Sequence, residues 1–425
     1  MKVLWITNLI FPEAESLLTG NGELKSSGGW MLAAASAITK NDRIELTVAT
    51  PAKMVRRLQF LKGKDINYYL FPETSKGRCY DKRYEKYWLK IKQELQPDVV
   101  HIWGTEYSHG LAYVRTCGAD NVLVDIQGMT SVYYDYYFGG LSNIDILSNI
   151  TCRDLIKGTL FKAKRQFFKS GELEKEQISR VHFFTGRTTW DHAHVKAINL
   201  EAQYFPCARI LRNDFYEGKW DYSRCTPSTI FLSQSATPLK GLHQVLKAMP
   251  IILREYPDLQ IRIPGYNLAA AESFTSKMKR TGYGKYIGKL IAKYNIGSHI
   301  KFLGPLNAAQ MRDEYLKANL FLCPSAIENS PNSLAEAQIL GVPCLASFVG
   351  GVNDMIPTPN CGNIYRYDDV ETLAFEVCTL LSTSKTFDNT EVRNMAQKRH
   401  DKNTIAAQYE FIYNTIIAKE RSSQK

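Results

Sequence analysis

Short runs of apolar residues alternate along the chain with longer segments whose apolar residues recur at helical spacing. In the first half the runs predict buried parallel strands at Val3 to Ile6, Ile44 to Ala49, Val99 to Trp103 and Val122 to Ile126. Helix-like stretches such as Trp30 to Ile38 and Tyr84 to Glu94 lie between them. This alternation predicts a doubly wound parallel sheet.

The second half repeats the scheme after a segment rich in charges, aromatic residues and turn formers. Its predicted strands are Thr229 to Leu232, Gln260 to Ile263, Ile300 to Phe302, Leu320 to Cys323 and Pro343 to Ala346. We therefore predict an α/β protein with Rossmann-like domains at 1–210 and 229–395, a linker at 211–228, and a helix at 396–425 that packs back on the first domain. Ligands of such sheets bind beyond the carboxyl ends of the strands, so we expect the two domains to face a cleft.

Composition narrows the partners. The chain has 425 residues, enough for two domains, and its 44% hydrophobic and 22% charged residues are typical of a folded protein. The net charge of +11 favours an anionic partner. Without a specific nucleic-acid motif, phosphate groups on small molecules or lipids are favoured over nucleic acid.

The cysteines and the N-terminus indicate the compartment. Nine cysteines occur without a C-x-x-C pair, which is typical of reduced thiols. Residues 1–10 are a better first strand than a signal peptide, and no apolar run approaches the roughly 18 residues of a spanning helix. We expect a cytoplasmic protein, either free or peripheral on the inner face of the membrane.

The most informative segment follows the strand that ends at Cys323. Ser330 suits a helix N-cap, Pro331 the first helical position and Gly341 the left-handed stop, which predicts a helix of about ten residues. Its first turn would present unpaired N–H groups, at Asn332, Ser333 and Leu334, to an anion such as a diphosphate.

Two carboxylates accompany this anion site. Glu328 precedes the helix and Glu336 lies about a turn and a half inside it. Beside a diphosphate, carboxylates suit the vicinal hydroxyls of ribose or hexose, to which they accept hydrogen bonds. The alternative is a helix-start carboxylate plus a solvated helix face.

Glu328 and Glu336, with seven residues between them, resemble the E-x7-E signature of family 4 glycosyltransferases. Further positions fall in the family's order, namely Gly28-Gly29, Pro97-Asp98, Lys240-Gly241, Gly341, Pro343 and Gly350-Gly351. The resemblance implies the GT-B fold, a first domain on the acceptor side and a second that binds the nucleotide sugar. It also implies that Glu328 touches the transferred sugar, that Glu336 touches the ribose, and that transfer retains the anomeric configuration.

Lys240 opens the helix that starts at Leu242, where an ammonium group can reach a phosphate. In the family this lysine comes with an arginine five residues earlier, and both are implied to neutralise the leaving diphosphate. Here that position is Ser235, which leaves the second cation unassigned. A solvated lysine at a helix end is the alternative.

Further candidates lie in the first domain. Gly28 and Gly29 let a helix start close to the donor without a Cβ in the way, although a Gly-Gly pair is also ordinary turn chemistry. Acceptor-side candidates are Glu106 and His109, just beyond the strand that ends at Trp103, and Gln127, after the strand that ends at Ile126. Arg187 is a further candidate that we expect to face the cleft. Gln127 stands where many relatives carry a histidine, and since glutamine cannot take a proton at neutral pH, no general base is named.

The absence of any D-x-D triplet argues against a metal-chelating donor site, so we expect no metal and no cofactor besides the sugar-nucleotide substrate.

Residues 155–169 combine bulky apolar residues with five basic ones and would, as a helix, suit an anionic membrane surface. An ordinary surface helix is the alternative.

The sequence thus predicts a hexosyltransferase-type enzyme that moves a sugar from a nucleoside diphosphate sugar to a glycan or lipid-linked acceptor, in cell-surface polysaccharide or glycoconjugate synthesis. Lys240 and Glu328 are the predicted catalytic residues. A sugar-nucleotide epimerase on the same fold and a non-catalytic donor-binding module at a membrane surface remain the alternatives.

Overall fold

The computed structural model of the protein describes residues 1–20, 29–74, 79–271 and 273–423. These residues form two compact units. The first comprises residues 1–132, 166–212 and 400–425, and the second comprises residues 133–165 and 213–399. Each unit has its own parallel sheet and its own apolar core.

The sheet of the first unit has the order β3-β4-β2-β1-β5-β6-β7-β8, and all its neighbours are parallel except β3 and β4. Its central strands are mostly apolar and almost entirely buried, as expected for a parallel sheet that is covered on both faces. The strands are β1 (Lys2–Ile6), β2 (Glu45–Ala52), β3 (Gln59–Lys62), β4 (Ile66–Pro72), β5 (Val99–Trp103), β6 (Val122–Asp125), β7 (Phe183–Gly186) and β8 (Gln203–Pro206).

The sheet of the second unit has the order β11-β10-β9-β12-β13-β14 and is parallel throughout. Its strands are β9 (Thr229–Phe231), β10 (Gln260–Ile263), β11 (Ile300–Phe302), β12 (Leu320–Cys323), β13 (Cys344–Ser347) and β14 (Asn363–Tyr365). The strand β9 lies between β10 and β12, so the loops that follow these three strands are neighbours at one edge of the sheet.

Helices connect the strands of both sheets. In chain order they are α1 (Pro12–Thr19), α2 (Gly29–Ile38), α3 (Glu85–Leu95), α4 (Ser108–Cys117), α5 (Thr130–Tyr136), α6 (Asn143–Leu147), α7 (Cys152–Lys157), α8 (Leu160–Arg180), α9 (Thr189–Ile198), α10 (Leu242–Ile252), α11 (Phe274–Lys279), α12 (Gly282–Tyr294), α13 (Ala308–Lys317), α14 (Asn332–Leu340), α15 (Val352–Met355), α16 (Val370–Thr383), α17 (Thr390–Arg399) and α18 (Lys402–Ser423). None of the described helices is long and apolar enough to span a membrane.

The units divide the chain differently from the predicted boundaries. Residues 133–165, predicted within the first domain, group with the second unit. The physical reason is long-range packing: Leu141 and Ile146 join the core of that unit, and the carbonyl of Gly139 accepts a hydrogen bond from His243 Nε2 at 2.8 Å. These contacts link positions about 100 residues apart, which no local pattern signals.

The predicted linker also differs. Residues 213–228 belong to the second unit, where Phe215 is fully buried and the Trp220 indole donates to the carbonyl of Ala318 at 2.8 Å. At the other end, residues 400–425 group with the first unit. There the hydroxyl of Tyr413, on α18, accepts a hydrogen bond from the Trp5 indole at 3.0 Å.

Candidate active site

Lys240 and Glu328 meet at the carboxyl edge of the second sheet. Lys240 lies on the loop after β9 and Glu328 on the loop after the neighbouring strand β12. Their side chains form an ion pair with 2.5 Å between Nζ and Oε1, and the hydroxyl of Ser325 donates to the same oxygen at 2.8 Å. Two residues that are 88 positions apart in sequence are therefore adjacent in the fold.

The close approach of two loops explains why Lys240 is followed by a glycine, Gly241. Its φ is +70°, and a Cβ at this position would lie 1.6 Å from the carbonyl oxygen of Pro324. The two loops are also joined by a hydrogen bond of 2.8 Å from the N–H of Ala326 to the carbonyl of Leu239. Only glycine permits this approach, which holds Lys240 beside the Glu328 loop.

The backbone of Glu328 is fixed from a third loop, the one that follows β13. The N–H of Gly351 donates to the Glu328 carbonyl at 3.0 Å. At Gly350, with φ of +52°, a Cβ would lie 1.9 Å from the same oxygen. The Gly350-Gly351 pair therefore has a geometric role, since it lets one loop close on another.

The ion pair keeps Lys240 charged. Burial lowers the pKa of its ammonium group, but the charge and the hydrogen bond of Glu328 raise it by more, so the pKa lies above the usual lysine value. The Lys240 side chain is 29% exposed and that of Glu328 is 11% exposed. The site therefore presents a fixed cation that a ligand can still approach.

The helix α14 follows this loop, with one difference from the prediction. Pro331, rather than Ser330, is the N-cap, and the helix begins at Asn332 and ends before Gly341, whose φ is +83°. The N–H of Leu334 already donates to the carbonyl of Pro331 at 3.0 Å, so Leu334 does not offer a backbone donor to a ligand. The N–H groups of Asn332 and Ser333 precede the first intrahelical bond and remain candidates.

Two adjoining cavities surround Lys240. The smaller one is lined by side chains from the loops after β9 and β12 and by Ser333. The larger one has a volume of about 320 Å³ and adds residues from the loop after β10, including Gly265 and Tyr266. Ser235 lines the larger cavity, and among its described lining residues Lys240 is the one cation. The cation expected at position 235 is thus not replaced within this cavity by any residue that the structure describes.

Glu336 lies about one turn into α14 and is 4% exposed. Glu336 lies in the same helix as Ser333 but does not line either of the two cavities at Lys240. Its predicted contact with a ribose stays a prediction.

Sequence reasoning missed the residues of 133–165 that support this site. The hydroxyl of Tyr133 accepts a hydrogen bond from the N–H of Asn329 at 3.0 Å, directly after Glu328. At Gly139, with φ of +57°, a Cβ would lie 2.3 Å from the carbonyl oxygen of Pro238, two residues before Lys240. A Gly139-Gly140 pair was the available signal, but a glycine pair alone does not identify its partner.

In the first unit, Glu106 and Gln127 lie together. A Cβ at Gly104 would be 2.2 Å from Oε2 of Glu106 and 3.4 Å from Cδ of Gln127, so both side chains flank this glycine, beyond the ends of β5 and β6. The carboxyl-edge placement predicted for these two residues is therefore present, whereas their role toward an acceptor stays a prediction.

His109 does not suit the acceptor-side role predicted for it. It lies in the first turn of α4, is 6% exposed, and its Nε2 hydrogen-bonds the carbonyl of Thr7 at 3.1 Å. Burial lowers its pKa to about 4, so it is a neutral core residue at physiological pH. The physical reason is packing, since a short loop leads from β5 into α4, whose first turn is buried.

Arg187 supports the fold at the strand ends. Its Nη2 donates to the carbonyls of Ile126 and Gln127 at 2.7 and 2.9 Å, and its Nη1 lies 3.5 Å from Asp125. The side chain is 4% exposed. In this structure Arg187 positions the Gln127 backbone, and a direct acceptor contact would require it to become accessible.

Two further residues of this region were missed. Arg209 shares Asp125 with Arg187 at 3.1 Å and covers the Trp30 ring, and burial lowers its pKa to about 10. Glu174, fully buried on α8, accepts hydrogen bonds from the hydroxyls of Thr105 and Ser131, and burial raises its pKa. Arg209 stands in a mostly apolar segment and Glu174 in a charged stretch, and only the fold shows which polar groups each of these buried side chains contacts.

Two predicted features remain. Gly28 lies outside the described residues, while Gly29 begins α2, where a Cβ would lie 3.2 Å from Cγ of Arg212. The segment 155–169 is not one helix, because Gly158, with φ of +115°, separates α7 from α8. Leu155 and Ile156 are 73% and 71% exposed, whereas Leu160 and Phe161 pack against the core of the second unit.

Known proteins are similar to parts of this chain in sequence. Residues 223–399 match the family described as Glycosyl transferases group 1. The D-inositol 3-phosphate glycosyltransferase of Corynebacterium urealyticum is 28% identical over 144 residues, which are 34% of this chain and 32% of that protein. The phosphatidyl-myo-inositol mannosyltransferase of Mycobacterium tuberculosis is 22% identical over 201 residues, which are 46% of this chain and 49% of that protein. The chain thus covers about a third to a half of the length of these curated relatives.

Solved structures are similar over nearly the whole chain. Sucrose-phosphate synthase from Thermosynechococcus elongatus has a TM-score of 0.71 at 14% identity and covers 98% of this chain and 99% of its own. Anabaena HepE in complex with UDP-glucose has a TM-score of 0.63 at 14% identity, with full coverage of both chains. The chain therefore has the GT-B fold of two parallel-sheet α/β domains, and its residues 223–399 are similar to the glycosyl transferases of group 1.

Proposed function

We propose that the protein is a family 4 glycosyltransferase that moves a hexose from a nucleoside diphosphate sugar to a glycan or lipid-linked acceptor, with retention of configuration. The observation that carries the proposal is the Lys240–Glu328 pair beside the start of α14. A fixed cation and a helix N-terminus suit a diphosphate, and a carboxylate between them suits the hydroxyls of a sugar.

Each group has a chemical task in this proposal. As the bond between sugar and diphosphate breaks, negative charge grows on the leaving oxygen. Lys240 and the N–H groups of Asn332 and Ser333 stabilise that charge, which is the kind of preorganised electrostatic stabilisation that lowers a barrier most. Glu328, held by Ser325 and by the Gly351 N–H, orients the sugar. These groups work without a metal ion or another cofactor.

Relatives support the choice of substrates. HepE was solved with UDP-glucose, and curated relatives are named for inositol 3-phosphate or phosphatidylinositol acceptors. We infer a nucleoside diphosphate sugar as donor and a role in cell-surface polysaccharide or glycoconjugate synthesis, at the cytoplasmic face of a membrane. No nucleic acid is part of the proposal.

The test is thermal stabilisation by UDP, GDP, ADP and NAD, measured on the wild type, on Glu336→Gln and on the matched control Glu371→Gln, which removes an exposed carboxylate of the same unit. A ligand at about 100 times its Kd stabilises the folded state by roughly 2.7 kcal/mol. We expect one nucleoside diphosphate to raise the Tm of the wild type and the control, with a smaller rise for Glu336→Gln.

Other outcomes separate the alternatives. Stabilisation by NAD alone, or by none of the four, would contradict the donor site. If a nucleotide sugar binds and is converted to another nucleotide sugar without an acceptor, the protein is an epimerase. If it binds and is neither transferred nor converted, the protein is a donor-binding module.

We further propose that the exposed apolar residues of α7 contact an anionic membrane. Leu155 and Ile156 are adjacent to Lys157 and are mostly exposed, a combination that suits the lipid interface. Co-sedimentation with phosphatidylcholine vesicles, with and without phosphatidylglycerol, tests this on Leu155→Ser/Ile156→Ser. The control is Leu200→Ser, since Leu200 is 79% exposed in the first unit. Binding that does not depend on phosphatidylglycerol, or that the double variant retains, would remove the proposal.

A further inference from the structure

A third cavity adjoins the larger of the two cavities at Lys240, which we call the Lys240 cavity, and lies within the same unit. Its volume is about 830 Å³, compared with about 320 Å³ for the cavity that contains Lys240. The two share Ala236, Tyr266 and Leu268 as lining residues, so they are neighbours. An occupant of the larger cavity would therefore lie beside an occupant of the smaller one.

The lining of the larger cavity is positively charged. Arg153 comes from α7, Lys279 ends α11, and Arg280 follows it. The other described lining residues are apolar or polar and uncharged, and include Asn267 and Ser276. We call the cavity that these three cations line the basic cavity. Nothing in its described lining compensates the positive charge, which favours an anionic occupant.

Arg280 lines the cavity with a guanidinium group that has few partners in the protein. Its Nη1 is 3.5 Å from the carbonyl of Ala269, and its Nε, which is shielded from solvent, has no hydrogen-bond acceptor among the described residues. A phosphate oxygen is the acceptor that the planar geometry of a guanidinium group suits best.

Tertiary contacts hold the cations in place. The hydroxyl of Thr151, the N-cap of α7, donates to the carbonyl of Arg280 at 3.0 Å. At Gly282 a Cβ would lie 2.7 Å from Oδ2 of Asp154, so α7 and the start of α12 are in close contact. Arg153 is therefore kept beside Arg280 by packing of the backbone.

The start of α12 adds to the same field. This helix has 13 residues, and its N-cap Thr281 lines the cavity. The positive end of its dipole thus points to the region where the three cations lie. Cations, an unsatisfied guanidinium and a helix N-terminus all favour the same class of ligand.

We propose that the basic cavity binds a phosphate group of the acceptor, an inference that rests on the proposed glycosyl transfer. The adjoining Lys240 cavity takes the donor, so a phosphate in the basic cavity belongs to the molecule that approaches the donor. The phosphate anchors the acceptor and takes no part in bond breaking. Its source is either a water-soluble phosphate ester or a phospholipid headgroup, and exposed Tyr266, which lines the cavity, offers a ring beside either.

The first arm of the test uses inorganic phosphate as probe. Wild-type protein is saturated with the nucleoside diphosphate that stabilises it, and phosphate is then titrated by calorimetry. The variant is Lys279→Gln/Arg280→Gln, and the control is Lys277→Gln/Lys385→Gln, which removes the same charge from exposed positions of the same unit. We expect phosphate to bind the nucleotide-loaded wild type and the control. Its Kd for the cavity variant should be higher by about tenfold or more.

The second arm uses phosphatidylcholine vesicles with and without phosphatidylglycerol. If the cavity variant loses vesicle binding and the control does not, the phosphate source is a lipid headgroup. If only the phosphate titration depends on the cavity, the source is a soluble phosphate ester. If neither measurement differs between variant and control, the proposal is wrong.

Failure of this inference can be told apart from failure of the proposed function. If phosphate binds only by displacing the nucleotide, the anion site is the donor site, so the inference fails while the proposed transferase stands. If no nucleotide stabilises the wild type, the proposed function fails first. Thermal unfolding of each variant shows whether it is folded before either arm is read.

Discussion

The ammonium group of Lys240 lies 2.5 Å from the carboxylate of Glu328. Both partners of this pair are held by other groups of the same unit. Ser325 and the Gly351 N–H hold the glutamate side of the pair, and Gly241 fixes the lysine side. The site is therefore preorganised, which is the property that electrostatic catalysis requires.

Lys240→Gln should strongly lower the rate of sugar transfer while the protein stays folded. The substitution removes the cation that stabilises the leaving diphosphate, a loss of about 100-fold or more in kcat. The measurement is release of the nucleoside diphosphate from its sugar nucleotide. Lys385→Gln, at an exposed position of the same unit, is the control. A Lys240→Gln enzyme with unchanged kcat would contradict the role given to this lysine.

A double-mutant cycle of Lys240→Gln and Glu328→Gln measures what the ion pair contributes to the free energy of unfolding, independently of catalysis. Because the partners are in contact, the free energies of unfolding of the two single variants should not add, with a coupling on the order of 1 kcal/mol. Additive effects on stability would show that the pair does not form in solution.

Local patterns were enough for part of this site. The strands β5, β10, β11 and β12 begin and end at the predicted residues. Of these, β5 and β12 are buried along their whole length, whereas β10 and β11 have partly exposed positions. The helix α14 was predicted from Pro331 and Gly341 and differs by one position at its start. Such features depend on neighbours along the chain.

The supports of the site depend on residues that are distant in sequence. Nothing near Tyr133 or Gly139 in the sequence indicates that they contact Asn329 and Pro238. Likewise, Arg280 resembles any surface arginine until Thr151 and the start of α12 are placed beside it. Charge and hydrophobicity patterns contain no information on such pairings, so only the fold reveals them.

Gly241→Ala should destabilise the second unit and weaken nucleotide binding. A Cβ there would lie 1.6 Å from the Pro324 carbonyl oxygen, so the Lys240 and Glu328 loops must separate. Gly304→Ala is the matched control, because Gly304 has a similar φ of +74° but open space around its Cβ. The control should cost about 1 kcal/mol from the left-handed conformation alone.

The difference between the two alanine variants is the informative quantity. Urea unfolding should show a clearly larger loss for Gly241→Ala, together with a smaller Tm rise on adding the nucleotide. Equal losses would mean that the loops tolerate separation and that the close approach is not needed.

Acid should destabilise the protein through its buried histidines. Burial lowers the pKa of His101 to about 3 and those of His109 and His243 to about 4. Unfolded histidines titrate near 6.5, so between about pH 6.5 and about pH 4 the unfolded chain binds more protons. The free energy of unfolding therefore falls as the pH is lowered through this window, by at most about 1.4 kcal/mol per pH unit for each histidine.

His109→Gln tests this and also tests the assignment of His109 to the core. Urea midpoints of the variant should fall less steeply with decreasing pH than those of the wild type. His182→Gln, an exposed histidine of the same unit, is the control and should keep the wild-type slope. An unchanged slope for His109→Gln would show that this ring is protonated in the folded protein and is accessible after all.

Activity should persist without a divalent cation, because Lys240 and the start of α14 provide the positive charge that a metal ion would otherwise supply to the diphosphate. The measurement is release of the nucleoside diphosphate from its sugar nucleotide before and after treatment with EDTA, followed by addition of Mn²⁺ or Mg²⁺. We expect equal rates in the three conditions. Under the same conditions Lys240→Gln should be slow throughout, and added cation should not restore it, since the lost charge has a fixed position in the loop. Loss of activity in EDTA that Mn²⁺ restores would show instead that a bound cation, rather than Lys240 and the helix, carries the leaving-group charge.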